Sequence, residues 1–161
     1  MSSEYTFSSK TILVSKTDVQ GKITYVNEQF KKIAGYNEKE LLGQPHSIVR
    51  HPEMPKVIFK FLWNYLKEGK EINAYVKNST KEGGYYWVYA NVTPSFDATK
   101  RVIGYHSTRR KPEAEALKVI IPLYQNLLAI EKKSGLAGSE AFLKNILDDN
   151  KVTYDEYVFS L

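Results

Sequence analysis

Residues 72–109 read INAYVKNSTKEGGYYWVYANVTPSFDATKRVIGYHSTR. Ile72 to Ser79 and Tyr85 to Pro94 are rich in β-branched and aromatic residues, with Lys81-Glu82-Gly83-Gly84 as a turn between them. Arg101 to Arg109 is a third such run, after the mostly polar loop Ser95 to Lys100. Short runs of this composition bounded by turn residues predict three antiparallel strands. Strand alternation then sorts the side chains onto two faces. Ala74, Val76 and Asn78 share a face, as do Tyr86, Val88, Ala90 and Val92, and both sets are assigned inward. Trp87, Tyr89, Asn91 and Thr93 then look outward, toward a C-terminal helix or a partner. On the third strand Gly104, His106 and Thr108 share a face.

Upstream, Thr11 to Lys16 and Lys22 to Val26 read as two short strands around the turn Asp18-Val19-Gln20-Gly21. Asn27 caps a short helix that carries Phe30, Ile33 and Ala34 and stops at Gly35. Asn37 caps a further turn. Pro45 to Pro55 is a loop with one helical turn at most. Val57, Ile58, Phe61, Leu62, Tyr65 and Leu66 then recur at helical spacing, with Pro55 in the first turn and Gly69 as the stop. Five strands with short helices between the second and third predict an α+β domain, an antiparallel sheet with helices on one face. After Pro112 the pattern turns helical. Glu113 to Lys133 is one helix, kinked or restarted at Pro122, followed by a linker from Ser134 to Gly138 and a helix from Ser139 to Asp149. Thr153-x-x-Glu156 is a capping box for a last turn. The expected organisation is a flexible arm over 1–10, an α+β domain over 11–111 and a C-terminal helical interaction segment over 112–161.

The chain has 161 residues and no cysteine, which excludes disulfides, thiolate metal ligands, a thiol nucleophile and cysteinyl photochemistry. No apolar run is long enough to span a bilayer and the N-terminus lacks a signal-type stretch, so a cytoplasmic location is the default. The net charge is +5. In 139–161, Lys144 and Lys151 stand against Glu140, Asp148, Asp149, Asp155 and Glu156, so the rest of the chain is the basic part. That balance suits a phosphate-bearing ligand or an acidic partner. The dense runs Arg109-Arg110-Lys111 and Lys132-Lys133 read as solvated faces, and no nucleic acid is expected as a partner. No nucleophile–base pair, Gly-rich phosphate loop or defined carboxylate pair points to an enzyme, and neither catalytic residues nor a metal site are assigned.

The strand–helix order is that of the PAS topology, and from Leu13 to about Thr108 the chain resembles the PAS sensor domain of Aer-type aerotaxis (energy-taxis) receptors. The resemblance rests on Lys16-Thr17-Asp18, Asn27, Gly35-Tyr36, Gly43-Gln44-Pro45-His46, Val49-Arg50-His51-Pro52-Glu53-Met54-Pro55-Lys56, Leu62-Trp63, Val76-Lys77-Asn78, Tyr86-Trp87-Val88 and Ala90-Asn91-Val92-Thr93-Pro94. The string from Arg50 to Lys56 is specific to that subgroup. Pro122-Leu123-Tyr124 is similar to the segment that follows the family's PAS domain. Without an anchor, a HAMP segment or a signalling coiled coil, the chain resembles the stand-alone PAS subunit of bipartite energy-taxis systems (CetB-like). The resemblance implies non-covalent FAD, whose reduction alters hydrogen bonds at the sheet and repositions the C-terminal helices. It also implies a membrane-bound chemotaxis transducer with HAMP and signalling domains as partner, a second copy of the chain as a further candidate, and recruitment to the inner membrane through that partner. Haem b, in an oxygen or gas sensor ligated through His46 or His51, is the alternative cofactor. A ligand-free dimerisation adaptor is the third reading.

The resemblance also implies site residues. Asn78, five residues before Gly83, contacts the ring edge, or satisfies the strand end. Arg50 and His51 hold the pyrophosphate, and Glu53, where the family has Asp, orients Arg50 or His51; alternatively the loop is rigidified for structural reasons. Trp63 stacks on the ring or adenine, or packs in the core. Tyr86 belongs to the cofactor-side face. Asn27 is an N-cap with an added chance of ligand contact. By register, His106 takes the place of a glutamine that lies near flavin N5 in light-sensing relatives. Ile72 stands where the family has a Trp and supplies apolar area without ring stacking.

Overall fold

The computed structural model describes residues 3–161; Met1 and Ser2 of the expected arm lie outside the described residues. Five strands form one antiparallel sheet in the order β2-β1-β5-β4-β3. They are β1 (Leu13–Thr17), β2 (Ile23–Val26), β3 (Ile72–Ser79), β4 (Tyr85–Phe96) and β5 (Val102–Arg110). Between β2 and β3 come α1 (Glu28–Ala34), α2 (Glu38–Leu41), a 3-10 turn over His46–Val49 and α3 (Lys56–Lys67). Asn27 caps α1 by accepting from Phe30 N–H and also holds β1, accepting from Val14 N–H and donating to Ile12 C=O. Gly104 has a steric reason: a Cβ there would run into the Thr17 carbonyl, so β5 approaches β1 closely at this point.

The core lies where α1 and α3 cover the inner face of the sheet. Phe30, Val57, Ile58 and Leu66 from the helices are buried with Leu13, Ile72, Ala74, Val88 and Ala90 from the strands. The outer face of β3 and β4 is covered by α4 (Ala114–Asn150) and α5 (Tyr154–Phe159). Trp87 lies against Tyr124 with ring centroids 5.9 Å apart, and Tyr124 Oη donates to the Tyr75 carbonyl at 2.6 Å. Thr153 and Glu156 form the expected capping box of α5.

The break in α4 differs from the sequence expectation. Pro122 lies inside continuous helix on its exposed side, and Gly135, with φ 73° and ψ −172°, makes a sharp kink in place of a five-residue linker. Glycine reaches that conformation without the clash a Cβ brings, whereas one missing amide at an exposed proline leaves the helix path intact here. The N-terminal segment is largely exposed yet tied down: Tyr5 N–H donates to Tyr85 C=O at 2.7 Å and Tyr85 N–H to Ser3 C=O at 3.0 Å.

Candidate functional site

A cavity of about 710 Å³, counting its open mouth, lies between the inner face of the sheet and α3. Its apolar walls are Phe59, Leu62, Trp63 and Leu66 from α3, facing Val76, Ala90 and Val92 from β3 and β4. Its lining, apolar walls with a few polar groups, has the character of pockets that take small organic cofactors. Trp63 meets Tyr105 edge-on, with centroids 5.3 Å apart, and both line the cavity.

The β5 side is polar. Arg109 is 7% exposed, donating from Nη1 to Ser15 Oγ at 2.8 Å and from Nη2 to His46 Nε2 at 2.9 Å. All three line the cavity. Arginine only donates, so His46 Nε2 is the acceptor and the imidazole is neutral. Burial, with the Arg109 charge beside it, pushes His46 down to about 3. Burial also lowers Arg109, to about 10, which leaves it charged at neutral pH. No ion pair among the described residues includes Arg109 or Arg50. A buried charge without a counter-charge costs on the order of several kcal/mol, and here Ser15, His46 and the Phe30 ring 5.6 Å away stand in place of a carboxylate.

Other hydrogen-bonding capacity is unspent. Asn78 Nδ2, Ser107 Oγ and Tyr86 Oη are buried without a partner, and Asn78 and Ser107 line the cavity. Buried polar groups are nearly always paired, so two such atoms on the cavity wall, Asn78 Nδ2 and Ser107 Oγ, are hydrogen-bonding capacity the chain itself leaves unspent.

The loop Arg50–Pro55 owes its shape to β3. Arg50 forms a bridge with Asn78, His51 N–H donates to Lys77 C=O at 3.2 Å, and Lys77 N–H points to Met54 Sδ at 3.2 Å. Arg50 is thereby presented at the cavity, its guanidinium 3.7 Å from the Phe59 ring centroid. His51 turns elsewhere: its Nδ1 accepts from Glu53 N–H at 3.0 Å and its ring meets Tyr85 edge-on. Glu53 is exposed and pairs with Lys77 at 3.2 Å, away from Arg50.

Of the eight residues expected from sequence, Arg50, Trp63 and Asn78 come together as cavity lining. Tyr86 lies directly across from Asn78 on β4 and is fully buried behind the lining. His51, Glu53 and Asn27 do not line the cavity. His106 requires a correction: the β5 side chains that reach it are Tyr105, Ser107 and Arg109, so His106, one residue out of phase, is on the opposite face. Arg109 requires another, since it is a buried cavity residue and not part of a solvated run. Ser15, His46, Ser107 and Arg109 also line the cavity. For Ser15, Ser107 and Arg109 the sequence signal was the shared alternation of β1 and β5, whose residues Ser15 and Ser107 pair directly, whereas His46 stood out only in the Gly43–His46 string and as a haem-ligand candidate.

A family model described as PAS fold matches residues 23–109. The chain is 44% identical over 119 residues to the aerotaxis receptor of Escherichia coli (strain K12), covering 74% of this chain and 23% of the receptor. It is 29% identical over 84 residues to a nitrogen fixation regulatory protein of Klebsiella pneumoniae, covering 52% of this chain and 17% of that protein. It is 30% identical over 87 residues to the biofilm dispersion protein BdlA of Pseudomonas aeruginosa, covering 53% and 21%. The chain thus spans less than a quarter of the length of these curated relatives. Among solved structures, one described as "Flavin Analogue Sheds Light on Light-Oxygen-Voltage Domain Mechanism" matches with a TM-score of 0.62 at 20% identity, over 71% of this chain and 87% of that one. The dark structure of the blue-light photoreceptor Aureochrome1 LOV matches with a TM-score of 0.61 at 21% identity, over 71% and 85%.

Proposed function

The chain belongs to the PAS-fold family, and from that membership we propose that it is a non-enzymatic redox sensor that binds FAD non-covalently in the cavity under α3. One observation carries the reading: an apolar slot is bordered by a buried arginine without a carboxylate partner and by unpartnered polar atoms on Asn78 and Ser107. Those groups fit a flat heteroaromatic ring with hydrogen-bonding edges and an electron-rich reduced form. Bound flavin supplies reversible electron transfer, in which a ring nitrogen changes from hydrogen-bond acceptor to donor. Phe59, Leu62, Trp63, Leu66, Val76, Ala90 and Val92 would enclose the ring and exclude water. Asn78 Nδ2 would donate to an acceptor on the ring edge. The Arg109 charge would favour the electron-rich state, and Arg50 would pair with phosphate.

The haem alternative finds less support. His46 Nε2 is already held by Arg109 and Ser15, and His51 does not line the cavity. The similarity to an aerotaxis receptor favours output to a chemotaxis transducer through the C-terminal helices. No described helix is long and apolar enough to cross a membrane. The aerotaxis similarity favours membrane recruitment through that partner.

The test is an absorption spectrum of freshly purified protein, followed by denaturation and identification of the released chromophore. Released FAD is the expected result. A Soret band, or protein that stays colourless after incubation with FAD, overturns the reading. Arg50→Ala and Asn78→Ala each lower FAD occupancy with the circular-dichroism spectrum unchanged; full retention in both overturns the pocket assignment.

A further inference from the structure

The first turn of α3 lacks a cap of its own. Pro55 holds the N-cap position and offers no side-chain acceptor, so the leading amides of the helix need partners from elsewhere. Lys56 N–H donates to Glu131 Oε1 at 2.9 Å and Val57 N–H to Glu131 Oε2 at 3.1 Å. The same carboxylate accepts from Ser139 Oγ at 2.8 Å, and Ser139 is fully buried. Glu131 and Ser139 lie on opposite sides of the kink at Gly135.

One carboxylate thus joins three pieces: the N-terminus of α3 and the two halves of α4. Its bonds are charge-assisted and lie where the helix dipole favours a negative charge. The neighbouring pairs Lys60–Glu140 and Lys144–Glu140 are more exposed on the lysine side and hold the junction less tightly. Helix α3 is the cavity wall that carries Phe59, Leu62, Trp63 and Leu66. A bidentate cap tolerates little displacement, so a shift of α3 of about 1 Å stretches at least one of these bonds out of range.

We propose that Glu131 is the positioning residue that couples the cavity to the C-terminal arm. Its carboxylate ties α3 to the Gly135 kink, so the state of the cavity and the docking of residues 136–150 each bias the other. Such coupling is reciprocal. The ligand-bound arm of the test rests on the FAD reading; the ligand-free arm does not.

The experiment is hydrogen–deuterium exchange by mass spectrometry on the full chain, with and without saturating FAD, for the wild type, Glu131→Ala, Glu131→Gln and Ser139→Ala. Without ligand, Glu131→Ala raises exchange at residues 56–58 by roughly tenfold and raises it at 136–147 as well, leaving β1 and β2 unchanged. Glu131→Gln, which keeps one acceptor oxygen, falls between. FAD slows exchange at 136–147 in the wild type and not in Glu131→Ala. The proposal is overturned if Glu131→Ala speeds only 56–58, or if FAD protects 136–147 equally in both proteins. Wild-type protein that takes up no FAD defeats the flavin reading, while the ligand-free comparison still decides the coupling. Should Glu131→Ala lose its near-ultraviolet circular dichroism, Ser139→Ala decides. It keeps the cap on α3 and is expected to speed 136–147 alone; unchanged exchange there overturns the proposal.

Discussion

The two faces of the sheet use alternate residues of the same strands to opposite ends. On the outer face of β3 and β4 the polar groups are spent on the chain's own helices. Tyr124 Oη donates to the Tyr75 carbonyl, and Asn73 N–H donates to Asp155 Oδ1 at 2.7 Å. On the inner face Asn78 Nδ2 and Ser107 Oγ have no partner and Arg109 has no counter-charge. A face whose polar groups are paired is structural in purpose. A face that leaves them unpaired next to a cavity keeps hydrogen-bonding capacity in reserve.

That contrast breaks most visibly at Trp87. Trp87→Ala removes the ring packed on Tyr124 and is expected to cost about 3–5 kcal/mol in urea unfolding. FAD bound per folded molecule stays the same; a parallel loss of flavin would show that the faces are not separable.

Arg109→Met tests the inner face from the other side. Removing an uncompensated buried charge leaves the ligand-free protein as stable as before, or more stable by about 1–4 kcal/mol, because Ser15 and His46 can still bond each other. FAD affinity falls tenfold or more. Strong destabilisation of the ligand-free protein would mean that Arg109 is structural after all.

His46 gives the inner face a pH signature. In the folded protein it resists protonation down to about 3, whereas in the unfolded chain it takes a proton near its ordinary value of about 6.5. Between those values the unfolded state binds more protons, so stability falls as the pH drops, by at most about 1.4 kcal/mol per unit. His46→Gln keeps an acceptor for Arg109 and removes this dependence. Urea midpoints between pH 7 and 5 should decline less steeply in the variant, with a residual slope from His51, which burial and Lys77 also lower. Equal slopes would refute the assignment. The smallest expected effect is Tyr124→Phe, about 1 kcal/mol, read by the same unfolding curves.

The sequence made the strands of this sheet legible because their alternation is local. The inner faces of β3 and β4 follow from small and apolar residues at Ala74, Val76, Val88 and Ala90, all buried. On β5 register against light-sensing relatives put His106 inward, whereas the inner set is Tyr105, Ser107 and Arg109. A buried arginine reads as a surface residue until its partners Ser15 and His46, 94 and 63 positions away, are known. The loop from Arg50 to Pro55 was legible as a motif. That His51 and Met54 anchor it on β3 depends on a contact across more than twenty residues, which no local pattern contains.

The sheet also has little bare rim. Along β3, Lys77 C=O accepts from His51 N–H and Asn73 N–H donates to Asp155. Along β2, Ile23 exchanges hydrogen bonds with Gly43 and Gln44. The overhang of β4 at Tyr85 is taken by Ser3 and Tyr5. Assemblies that grow by adding a foreign strand are therefore disfavoured, fibrillar ones included. A molecule that joins this one meets side chains instead, on helices, loops or the exposed strand positions Tyr25, Phe96 and Ile103, or first displaces a segment already bound to the rim.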